Sequence, residues 1–116
     1  MYRQDLDNIA EQLASGYLTE EPETVQREFL EILETVLPTL AERALATQRG
    51  GKGSVEEVWK EIRRGAEEDF QAALERVERL KVVYVASKFM NNKAIGTRIT
   101  EVALALAKQK EGIPHG

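Results

Sequence analysis

The carboxylates are the residues with the clearest potential for chemistry. Glu28, Glu31 and Glu34 recur every third position, which on a helix sets them along one face. Acids placed this way can hold a magnesium ion for attack on a phosphoanhydride, provided a second acidic pair on a facing helix shares the metal. Glu67, Glu68 and Asp69 could supply acids, but they lack the Glu-x-x-Asp spacing. The Glu28–Glu34 face also lies opposite the apolar arc of its own segment and is expected to point to water. The only histidine is His115, near the end of the sequence, and there is no cysteine. That leaves no Ser-His-Asp or Cys-His arrangement, and no disulfide or thiolate metal site. Gly50-Gly51-Lys52-Gly53 lacks the longer glycine frame, the closing Lys-Ser/Thr and the preceding strand of a phosphate-binding loop, and reads as a connector. No catalytic residue, metal ligand or cofactor is assigned.

Those groups need a scaffold, and the composition limits what it can be. The chain has 116 residues, enough for one modest core. With 42% hydrophobic and 31% charged residues, it falls in the globular class. It has no apolar run of membrane-spanning length. Met1-Tyr2-Arg3-Gln4-Asp5 leads into a polar amphipathic stretch without a signal-peptide core, so a cytoplasmic location is expected. The expected organisation is a single helical domain over residues 1–111 with a frayed tail at 112–116.

The pattern predicts about four helices. Leu6, Ile9, Ala10 and Leu13 mark the first, from about Asp5 to Ser15, with Gly16 as its stop. Pro22 opens the second, beside Glu20, Glu21 and Glu23 at its positive end. Val25, Phe29, Leu30, Ile32, Leu33, Val36, Leu37 and Leu40 cover roughly 160° of its wheel, enough to meet more than one neighbour. Pro38 should kink or break it. Ser54-Val55-Glu56-Glu57 is a capping-box signature for a third helix. Val55, Trp59, Ile62, Ala66, Phe70, Ala73, Val77, Leu80 and Tyr84 share an arc of roughly 80°, which predicts one straight, long helix. Continued to Met90, it would measure roughly 55 Å. Trp59 on this stripe is expected in the core. Asn91-Asn92-Lys93 is a turn before the last helix, which carries Ala94, Ile95, Ile99, Val102, Ala103, Leu106 and Ala107.

The end of the long helix carries the functional reading. Val82, Val83, Val85, Ala86, Phe89 and Met90 face away from the stripe, forming a second apolar face. The β-branched run Val82-Val83-Tyr84-Val85 could be a strand, but no turn residue precedes it, so helix is preferred. Charge is also uneven: residues 1–75 carry a net of −9 and residues 76–98 a net of +5. Arg79 and Lys81 are therefore taken with the six apolar residues as an interface for a protein partner or a second copy. Nucleic acid is a secondary partner in this reading, because Arg76 and Arg79 lie on one side of the helix and Lys81 and Lys88 on another. The leading function is a non-catalytic interaction or assembly subunit. The alternative is an all-α, metal-dependent nucleotide pyrophosphohydrolase.

The segment from Val25-Gln26-Arg27-Glu28-Phe29 through Leu45, followed by a loop and then Ser54 to Met90, resembles the helical domain of archaeal GINS replication subunits. The basic, valine-rich stretch is Arg79-Leu80-Lys81-Val82-Val83-Tyr84-Val85-Ala86-Ser87. The resemblance implies a non-enzymatic scaffold in a replicative helicase complex. It places Arg79, Lys81, Val82, Val83 and Ala86 at a subunit interface.

Overall fold

A computed structural model describes residues 2–49, 54–73, 75 and 77–112. The expected connector at Gly50–Gly53, most of the expected tail, and His115 lie outside the described residues. Those described form five helices and no strand: α1 (Tyr2–Ser15), α2 (Pro22–Arg49), α3 (Val55–Ala73), α4 (Arg79–Asn91) and α5 (Lys93–Gly112).

Helix α2 has the widest apolar arc and packs on all four other helices, as does α5. Val25, Phe29, Ile32, Leu33, Val36, Leu37, Leu40, Ala41 and Ala44 of α2 are all buried. The core closes over Leu6, Ile9 and Leu13 from α1 and Val58, Ile62 and Phe70 from α3. Ile95, Ile99 and Val102 complete it from α5. Pro38 does not break α2, which runs through it. The proline is on the exposed side while Leu37, Leu40 and Ala41 are buried around it. Packing therefore holds the helix across the missing N–H.

The helix starts follow local chemistry. The Ser54 hydroxyl accepts the Glu57 N–H at 3.3 Å, as the capping signature predicts. Before α2, the Thr19 hydroxyl accepts the Glu21 N–H at 3.1 Å. Trp59 is buried as expected, with its indole against α5 at Gly96, where a Cβ would collide with the ring nitrogen.

The expectation of a long third helix fails. The single long helix over Val55–Met90 is two helices, α3 and α4, making five rather than four. The apolar stripe predicted through Leu80 stops, because Leu80 is 64% exposed. The physical reason is the change of apolar face. In α4, Val82, Val85, Ala86 and Phe89 are buried, and a straight continuation of α3 would turn them away from the core. Breaking the helix after Ala73 lets the second apolar face fold inward, which recovers the burial of two valines and a phenylalanine, about 1.5–3 kcal/mol for each side chain. The run Val82-Val83-Tyr84-Val85 is helical, not a strand.

Candidate interaction surface

Helix α4 presents an inner side, a flank toward α2 and an outer side, each with different surroundings. Its inner side consists of Val82, Val85, Ala86 and Phe89, with the Phe89 ring 5.7 Å from that of Phe70. Four of the eight expected interface residues are therefore buried in the folded chain, and of these only Val82 and Ala86 also reach the groove beside α4.

The flank toward α2 is occupied as well. Lys81 forms an ion pair with Glu28 and a second with Glu78 at 3.1 Å, and only 13% of its side chain is exposed. An ammonium so enclosed needs a carboxylate beside it, and Glu28 supplies one. Beside this pair, Tyr84 stacks on Phe29 with ring centres 5.5 Å apart and meets Tyr17 edge-on at 4.9 Å. Lys88 lies over the Tyr84 ring at 5.3 Å. Lys81 and Lys88 are thus engaged within the chain and do not form an open basic face with Arg79.

The outer side of α4 is different. Leu80 and Val83, one turn apart, are 64% and 52% exposed. Between this ridge and α3 runs a groove of about 400 Å³. Phe70, Val82, Ala86 and Met90 give it an apolar lining, and Val83 and Arg79 also border it. Among the described residues Arg79 is exposed and makes no ion pair. Glu67, Met90 and Asn91 lie where this groove meets a larger cleft of about 750 Å³ that also touches Trp59, Lys60, Arg63 and Arg64. Within that cleft the Arg63 Nε donates to the Met90 carbonyl at 2.8 Å, and its guanidinium lies 5.5 Å from the Trp59 ring centre.

The expected acidic face is divided. Glu28 does not point to water but turns to Lys81 on α4. Glu31 is exposed, and Glu34 lies 3.6 Å from Arg3 of α1. On α3, Asp69 is buried and held by a two-point Arg43 fork, with Nε to Oδ2 at 2.6 Å and Nη2 to Oδ1 at 3.0 Å. The hydrogen bond to Asp69 raises the Arg43 pKa further above its ordinary value. Glu68 lies 4.0 Å from the same guanidinium. Among the described residues, no three His, Asp or Glu side chains gather closely enough to hold a metal ion.

Two surface features are not foreseen from the sequence. Leu80 falls within the predicted buried stripe, yet it stands on the outer ridge. Leu18, in the α1–α2 turn, is 99% exposed; its signal is a leucine among Thr19, Glu20 and Glu21, outside any apolar periodicity. No family model, no curated protein and no solved structure matches the chain.

Proposed function

We propose that this chain is a non-catalytic helical subunit that assembles with a protein partner or a second copy through the outer ridge of α4 and the groove beside it. One observation carries the reading. Leu80 and Val83 are exposed one turn apart on the outer side of α4, and Val83 borders a groove with an apolar floor of Phe70, Val82, Ala86 and Met90 and a polar rim that includes Gln71 and Ser87. Isolated surface leucines and valines are ordinary, whereas a ridge joined to an apolar groove is the form of a docking site. The ion-paired positions of Glu28, Glu34 and Asp69 add to the case, since those carboxylates already have partners within the chain. A replication-complex scaffold is one form such a subunit could take, with Arg79 and Val83 as the accessible members of the implied interface.

Sedimentation equilibrium of the wild type and Val83→Glu tests the reading. The substitution is at an exposed site and should change stability by no more than about 0.5 kcal/mol, while abolishing association. Phe89→Glu, by contrast, should unfold the chain. A wild type that stays monomeric and captures no partner, or that turns over nucleoside triphosphates with magnesium, would overturn it in favour of the pyrophosphohydrolase.

A further inference from the structure

The large apolar side chains exposed among the described residues are three: Leu18, Leu80 and Val83. Two form the α4 ridge. The third is a projecting side chain in the short turn between α1 and α2. That turn is well anchored. Tyr17 packs edge-on against both Phe29 and Tyr84, its N–H donates to the Ala14 carbonyl at 3.1 Å, and the Thr19 hydroxyl closes the other side on Glu21. Leu18 therefore projects from a fixed base, and little conformational freedom remains to be lost when it is buried. Glu20, Glu21 and Glu23 follow it and are exposed, and none makes an ion pair among the described residues.

The α3–α4 groove has the complementary features. An apolar cavity of about 150 Å³ suffices for a benzene ring, so a groove of about 400 Å³ has room for a leucine side chain and part of its backbone. Arg79, without an ion pair among the described residues, borders the groove near α4's first turn. It offers a cation to the acids that follow Leu18, at the α4 side of a groove whose lining also includes Glu67 of α3. Tyr17 meets Tyr84 on the α2 flank of α4, whereas the groove lies on its α3 flank, so the turn of one copy and the groove of the next meet head to tail.

We propose that the occupant of the groove is the Leu18 turn of a second copy, with Glu20 and Glu21 of that copy facing Arg79. This inference rests on the docking reading above and names its partner. The contact is small, so the association is weak and salt-sensitive.

Sedimentation equilibrium at high protein concentration tests it with Leu18→Glu, Val83→Glu and their mixture. Leu18 is almost wholly exposed, so Leu18→Glu keeps its fold, and circular dichroism checks this for both variants. Each variant alone should associate at least tenfold more weakly than the wild type. An equimolar mixture should recover part of the association, because Val83→Glu retains the leucine and Leu18→Glu retains the groove. If Leu18→Glu associates like the wild type while Val83→Glu does not, the turn is not the occupant and the α4 docking surface stands. A wild type that binds a different protein at this ridge without self-associating likewise removes the turn and keeps the surface. A wild type that neither self-associates nor binds any protein overturns both.

Discussion

Helix α4 is joined to its neighbours in two different ways. At its C-terminal end the chain turns within one residue. The Asn92 N–H donates to the Lys88 carbonyl at 3.0 Å, which closes α4. Its side-chain oxygen accepts the Ile95 N–H at 3.2 Å, and its carbonyl accepts the Gly96 N–H at 2.9 Å, which opens α5. At its N-terminal end, Glu78 occupies the cap position with φ −59° and ψ 124° and gives no side-chain cap. Neither glycine nor proline occurs from Leu74 to Glu78. One turn is encoded in a residue that can cap two helices. The other is encoded in a shift of the apolar face, which acts only once there is a core to fold onto.

The largest expected effects are where Trp59 of α3 packs against the α4–α5 joint at Gly96. Trp59→Ala should cost about 3–5 kcal/mol in urea denaturation. Gly96→Ala should cost about 1–3 kcal/mol, since its Cβ would lie on the indole nitrogen and 2.8 Å from the Phe89 carbonyl. Trp59→Phe combined with Gly96→Ala should then be less destabilised than the sum of the two single changes. Additive losses would show that the ring and the glycine do not share that space. A native fluorescence maximum resembling that of free tryptophan would contradict the burial itself.

Next comes the cap. Asn92→Ala should cost about 1 kcal/mol through loss of the Ile95 bond. At the other joint, Glu78→Ser should raise stability by about 0.5 kcal/mol, a new cap less an exposed pair with Lys81, which keeps Glu28. A clear loss there would mean that the Glu78–Lys81 pair, not the buried face of α4, holds the break.

The smallest effect is at Glu56, whose carboxyl is held below its ordinary pKa by a hydrogen bond from Lys93 at 2.9 Å and by that residue's charge. A lowered carboxyl pKa contributes stability above the unfolded value and loses it as pH falls through the folded one. Both groups are well exposed, so Lys93→Ala should return the Glu56 titration toward normal by NMR while leaving the urea midpoint in place.

The same contrast explains what the sequence discloses. The arc of α2, the serine at the start of α3, Gly16 after α1 and the burial of Trp59 are legible because each depends on residues within a turn or two. The α3–α4 break is not. Val77, Leu80 and Tyr84 continue the helical period of Trp59 and Phe70, and only competition for the core with Val82, Val85 and Phe89 turns Leu80 outward and leaves Val77 and Tyr84 at the core's edge. Glu28 and Lys81 are 53 positions apart in the sequence, and nothing local to either marks them as partners. Of the expected interface, the exposed Arg79 and Val83 and the half-buried Met90 border the groove. Val85 and Phe89 are apolar for a reason the sequence shows, but the neighbour they meet is the core of their own chain, while Val82 and Ala86 are buried and also floor the groove.

The Arg43 fork has a consequence for how α3 seats on α2. A Cβ at Gly65 would fall 2.6–2.9 Å from the guanidinium atoms of Arg43, so the missing side chain makes room for the arginine to cross α3 and reach Asp69. Gly65 and Asp69 are one turn apart, as are Val58, Ile62, Ala66 and Phe70 along the buried stripe. With that repeat, α3 could slide by one turn, about 5.4 Å, and still present apolar side chains to α2. The slide would put a side chain under the guanidinium and leave the Asp69 carboxylate enclosed without its counter-charge, a loss of about 3–5 kcal/mol. Apolar packing brings the two helices together, and the Gly65 gap with the Arg43–Asp69 pair adds a polar latch that favours a single register.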